Sequence, residues 1–130
     1  MGSIRQFAKK KYINIETFRK NGEGVKTPVW FAEADGLLFV ITGADSGKVK
    51  RIRRNAIVNI TPCTMGGKPL DAWAPAEARE LTAPTDFKRI DQLFDRKYGL
   101  MKKMFESQRN KNDTPDTVLE IKLKDQAKLN

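Results

Sequence analysis

The chain has no histidine and a single cysteine, Cys63. Without histidine it lacks both the commonest metal ligand and the commonest general base at neutral pH. Metal chemistry and Ser-His or Cys-His hydrolysis are therefore poor readings. One cysteine cannot form an internal disulfide, and such a chain reads as cytoplasmic. Cys63 follows Pro62 with no acid or base beside it in the sequence, and reads as structural. No apolar run approaches the ~20 residues that a transmembrane helix needs. The amino-terminal stretch Met1-Gly2-Ser3-Ile4-Arg5-Gln6-Phe7-Ala8-Lys9-Lys10-Lys11 also lacks the uninterrupted apolar core of a signal peptide. No membrane partner is expected.

Positive charge is abundant. The 25 Lys and Arg residues against 16 Asp and Glu give a net charge of +9, which implies an anionic partner. That partner could be nucleic acid, an acidic surface or a phosphorylated small molecule, and composition does not choose among them. The 130 residues make one domain, with ends at 1–10 and 125–130 expected to be loosely ordered.

Periodicity places a strand over 11–20, with Ile13, Ile15 and Thr17 on one face. The Asn21-Gly22-Glu23-Gly24 turn leads to a strand over 25–32, and Glu33-Ala34-Asp35-Gly36 leads to another over 37–42. Both of these are apolar on two faces, which requires a closed or covered sheet. A short helix is predicted over 47–54 with Ser46 as N-cap and Asn55 as a left-handed end. Strands follow over 56–62 and 71–81, where Pro75 argues for an edge or a bulge. After Thr82-Ala83-Pro84-Thr85, a helix aligns Phe87, Ile90, Leu93, Phe94 and Tyr98 until Gly99. A helical piece over 100–108, a polar loop over 109–114 and a strand over 117–124 complete the chain. Six strands joined mostly by hairpins indicate a mainly β protein, an antiparallel barrel with helical decoration.

The segment Gly43-Ala44-Asp45-Ser46-Gly47-Lys48 has glycine and lysine in P-loop style, but the spacing is wrong, and Val49 stands where a magnesium-binding Ser or Thr is required. A helix N-terminus there still offers unpaired N–H groups and a positive dipole end to a phosphate. A capped helix with a solvated basic face accounts for the same residues. The run Lys48-Val49-Lys50-Arg51-Ile52-Arg53-Arg54 concentrates five positive charges. It has no interleaved aromatic for base stacking, so nucleic acid is the weaker partner for it. Trp30 and Trp73 are either core residues or, for Trp30, a surface for a planar ring and, for Trp73, a subunit contact. Glu77 and Glu80 lack the environment of an acid/base pair.

Read in order, Thr27-Pro28-Val29-Trp30-Phe31, then Thr42-Gly43-Ala44-Asp45-Ser46-Gly47-Lys48-Val49-Lys50-Arg51, then Arg54-Asn55 form a combined pattern. It resembles the pyridoxamine 5′-phosphate oxidase-like, FMN-binding split β-barrel family, and within it the F420-dependent (flavin/deazaflavin) oxidoreductases. Ala56-Ile57-Val58-Asn59-Ile60-Thr61-Pro62-Cys63, Ala76-Glu77-Ala78-Arg79 and Arg96-Lys97-Tyr98-Gly99 extend the resemblance over most of the chain. It implies a six-stranded antiparallel split barrel that dimerises with cofactor sites at the subunit interface. It implies hydride transfer between coenzyme F420 or FMN and a small organic substrate, with no catalytic side chain assigned. Thr27, Pro28, Val29 and Trp30 would line the ring, and Thr42 and Gly43 would lie along the ring or ribityl chain. Ser46, Gly47 and Lys48 would hold the phosphate, and Lys50 and Arg51 would extend the positive surface. A non-catalytic flavin carrier or sensor, or a tetrapyrrole reductase, is the alternative on the same fold. A nucleic-acid-binding barrel is the remote one.

Overall fold

Alternating apolar residues from Tyr12 onward set up the first strand, and the rest of the sheet is built on it. The computed structural model describes residues 4–103 and 115–124. Strand β1 (Tyr12–Phe18) pairs antiparallel with β2 (Gly24–Trp30) through a turn in which Gly22 takes φ +89°. Strand β3 (Ala32–Ala34) pairs with β4 (Leu37–Gly43) across Asp35 and Gly36, both at positive φ, as a tight hairpin requires. Helix α1 (Gly47–Arg54), β5 (Ile57–Cys63), β6 (Ala74–Leu81), α2 (Pro84–Tyr98) and β7 (Asp116–Leu123) follow. The seven strands form one antiparallel sheet in the order β2-β1-β5-β6-β7-β4-β3.

The two outermost strands of that order, β2 and β3, are one stretch of chain interrupted at Phe31. Residues 24–30 pair with β1 and residues 32–34 with β4, so this segment joins the two ends of the sheet into a barrel. The expected single strand over 25–32 is thus two strands, and among the described residues the count is seven rather than six. The physical reason is that one strand must change partners to close the sheet.

The barrel interior is filled by Ile13, Ile15, Phe31, Leu38, Val40, Val58, Ile60, Leu119, Ile121 and Leu123. A second cluster lies between the sheet and α2, where Phe39 and Val118 meet Ile90, Phe94 and Tyr98. This explains the two-faced apolar pattern of β4: Leu38 and Val40 face the interior, while Phe39 and Ile41 lie with the α2 cluster. Ile4–Phe7 makes a 3-10 turn that buries Phe7, where the sequence reads as a loose end.

Three local expectations change. The strand expected from residue 71 begins at Ala74, and β6 is central rather than an edge. Pro75 is tolerated because it pairs with Asn59 on β5 but precedes Ala76, where pairing with β7 begins. Asn55 ends α1 in extended rather than left-handed conformation, and its side chain accepts from the Ile57 N–H at 3.1 Å. The helical piece over 100–108 is helical at 100–103; residues 104–108, the loop over 109–114 and the tail over 125–130 lie outside the described residues. Among the described residues no helix is long and apolar enough to cross a membrane.

Candidate functional site

Tyr12 and Trp30 are register partners at the open end of the β1–β2 hairpin's ladder, farthest from its turn. The Trp30 ring lies parallel to Tyr98 of α2, with centroids 4.2 Å apart and 5° between planes. Beside this stack opens a cavity of about 540 Å³. Pro28, Val29 and Trp30 of β2 and Ile41, Thr42 and Gly43 of β4 form part of its wall. Phe87, Asp91 and Phe94 of α2 form another part, with Tyr12, Met65, Lys102 and Asp116 completing it. A Cβ built at Gly43 would meet nothing within 4 Å, so the backbone there borders open space. Flat rings and aliphatic side chains dominate the lining, which suits a planar aromatic guest.

Two charged residues of the wall, Lys102 and Asp91, pair with each other. Lys102 is 7% exposed, and its ammonium lies 2.9 Å from Asp91 and 2.7 Å from Asp95. A buried cation requires such partners. Behind the wall, the single Tyr98 hydroxyl proton is shared between the carbonyl oxygens of Phe31 (2.7 Å) and Lys11 (2.6 Å), and the oxygen accepts from the Phe31 N–H at 3.1 Å. Burial holds this phenol well above its ordinary range. Among the described residues no group of three His, Cys, Asp or Glu side chains could hold a metal ion.

Beyond Gly43, residues 44–48 lie outside this wall. Ser46 takes the N-cap position of α1, but its side chain makes no capping bond, and its buried Oγ has no hydrogen-bond partner. The Arg51 guanidinium folds back over the helix start, so close that a Cβ at Gly47 would lie 2.8 Å from Nη1. Arg51 Nε donates to Thr17 Oγ1 at 2.7 Å. Val49 and Ile52 are buried, while Lys50 is exposed. Arg53 makes a two-pronged ion pair with Glu80, at 2.8 and 2.9 Å. That pair holds the Glu80 carboxyl below its usual range, helped by a bond from Thr117. Glu77 is exposed.

No family model matches the sequence, and no curated protein does. Solved structures do match. HutZ, the heme storage protein from Vibrio cholerae, superposes with a TM-score of 0.68 at 13% identity, over 93% of this chain and 85% of that one. A candidate pyridoxamine 5′-phosphate oxidase from Listeria innocua gives 0.65 at 12%, over 93% and 90%. An F420-H2 dependent reductase, FDR-A, gives 0.62 at 18%, over 86% and 94%. The chain has the pyridoxamine 5′-phosphate oxidase-like split-barrel fold.

On this split barrel, the sequence-derived candidates divide into two groups. Pro28, Val29, Trp30, Thr42 and Gly43 meet around one cavity. Thr27, Ser46, Gly47, Lys48, Lys50 and Arg51 are not in its wall. Thr27 pairs with Ile15 farther along the hairpin. Sequence reasoning did not find Tyr12, Ile41, Met65, Asp91, Lys102 and Asp116, because strand and helix periodicity explain them without a ligand. Phe87 and Phe94 were legible only as core residues. Trp73 stands in the segment before β6, with the Lys26 ammonium 5.2 Å from its ring.

Proposed function

We propose that the split barrel binds FMN or coenzyme F420 in this cavity and transfers hydride between it and a small organic substrate. The observation that carries this reading is a cavity of about 540 Å³ walled by Trp30, Phe87 and Phe94 on a fold shared with a reductase that uses F420-H2. The residues fit a flavin-type ring. Trp30, fixed by Tyr98, offers a flat and rigid face, and Val29, Ile41 and Phe94 keep water from the ring edge. The cofactor's tail would run past Thr42 and the open backbone of Gly43 toward Ser46, Gly47 and Lys48. There the α1 N-terminus and the unpartnered Ser46 hydroxyl suit an anion, with Lys50 and Arg51 adding positive charge. When bound, the flavin or deazaflavin supplies the hydride chemistry. The protein orients the ring and excludes solvent, and no side chain is assigned a proton. The active form in this reading is a homodimer.

The test is a parallel titration with FMN and F420, following cofactor fluorescence and Trp emission in a Trp73→Phe background that isolates Trp30. Micromolar or tighter binding, about −8 kcal/mol or better, is expected for one of them. Binding of neither overturns the reading. Sedimentation should give twice the 14.8 kDa of one chain. HutZ shares this fold as a storage protein, so a flavin carrier is the second reading. Steady-state oxidation of the reduced cofactor with candidate acceptors separates the two, because a carrier binds without turnover.

A further inference from the structure

The cavity wall leaves the basic face of α1 unused. Arg51 and Arg54 stand one turn apart on α1 and both reach the end of β1. Arg51 Nε donates to Thr17 Oγ1 at 2.7 Å, and Arg54 Nη2 donates to the Phe18 carbonyl at 3.1 Å. Arg19 is the next residue along the chain, ion-paired at 3.0 Å with Glu23 in a bridge whose side chains are more than half exposed. Three guanidinium groups therefore gather where β1 ends.

Arg53, on the same helix, is neutralised by both oxygens of Glu80. Arg51 and Arg54 instead have a hydroxyl and a carbonyl, and among the described residues neither has a carboxylate partner. Burial and the charges of Arg19 and Arg54 all depress the Arg51 pKa, so the three charges are felt mutually. Like charges held together oppose the folded state, and an anion between them relieves that cost. Each guanidinium has five N–H donors in a planar fork matched to oxyanions, and Arg51 and Arg54 each spend one on the chain. Thr17 is five residues along β1 from Tyr12 in the cavity wall, roughly 17 Å at the rise of a strand. None of the three arginines lines the cavity.

We propose that Arg19, Arg51 and Arg54 form a second site, separate from the cavity, for a small phosphate-type oxyanion carrying at least two negative charges. The basic run has no aromatic on which bases would stack, which favours a small anion over a nucleic-acid backbone. Arg51 is shared with the positive surface proposed for the cofactor's tail, so the test rests on Arg19 and Arg54, which that reading does not use.

Inorganic pyrophosphate is the probe, titrated by calorimetry and by thermal melting at ionic strength held constant with sodium chloride. Saturable binding with a rise in Tm is expected. Affinity should fall at least tenfold in the Arg19→Ala/Arg54→Ala protein, with FMN and F420 affinity unchanged. Should that protein not fold, Arg54→Lys keeps the charge but loses the fork, and is expected to bind pyrophosphate several-fold more weakly. Several results overturn the proposal. They are no saturable binding, a Tm rise that sodium chloride reproduces, pyrophosphate affinity unaltered in the variants, or a parallel loss of cofactor affinity that assigns the arginines to the cofactor's tail. A single-stranded oligonucleotide that binds these arginines more tightly than pyrophosphate also overturns it.

Discussion

At Phe31 the chain leaves one ladder before entering the next, and its backbone groups must find partners elsewhere. Two consecutive residues of α2 supply them. Tyr98 serves both the N–H and the carbonyl. The Lys97 ammonium donates to the same carbonyl at 2.8 Å and lies 3.5 Å from the centre of the Phe31 ring. Lys97 is exposed as a residue, but desolvation where its ammonium meets Phe31 lowers its pKa from 10.5 to about 8. The unfolded chain therefore holds the Lys97 proton more tightly than the folded one. Below pH 8 the cost of burying the ammonium is fully felt, and stability should rise as pH climbs from about 8 toward 10. Tyr98 has the opposite sign. Its phenol stays protonated in the folded state above its ordinary value of 10.0, so stability should turn down beyond that pH. Urea unfolding between pH 7 and 11 measures both limbs, and Lys97→Met should flatten the rising one.

The helices differ in what they need from tertiary structure. Helix α2 is amphipathic on its own, and its apolar stripe packs as its spacing requires: Ile90, Phe94 and Tyr98 are buried, and Phe87 and Leu93 pack at their edges. Ile90 is fully buried between α2 and the sheet. Ile90→Ala should cost about 2–5 kcal/mol in denaturant unfolding, the range for a large aliphatic truncated in a core. A loss below 1 kcal/mol would mean that α2 is only loosely docked. Helix α1 buries just Val49 and Ile52 and carries five cations, so neighbours stabilise it. Glu80, on β6 and 27 residues from Arg53, bonds both Arg53 and Thr117 and ties the helix to β6 and β7. Nothing in the local sequence pairs Arg53 with Glu80. The β3–β4 hairpin is the reverse case, because Asp35-Gly36 specifies its turn without help.

Across the whole molecule, closure of the barrel depends on one partner change in the 24–34 segment and on the Tyr98 hydroxyl that secures it. Tyr98→Phe keeps the ring stacked on Trp30 but leaves the buried Phe31 N–H without its acceptor. It should destabilise the protein by about 1–3 kcal/mol in chemical unfolding. The same substitution should speed amide exchange at Phe31 and Ala32 more than in α1; uniform exchange would show that closure does not hinge on this bond. The sequence by itself determined the mainly antiparallel β character, the two turns, both helices and the buried faces of β1 and β7. Each is written in a local period or in residues that tolerate positive φ. It also marked Pro28, Val29, Trp30, Thr42 and Gly43, though as two separate stretches. Only the tertiary structure decided that these stretches share a wall. It alone added Tyr12, Met65, Asp91, Lys102 and Asp116 to that wall and carried the α1 arginines to the end of β1. The reason is physical: a period records which face of an element is apolar, while the partner facing it is set by long-range packing that no local window contains.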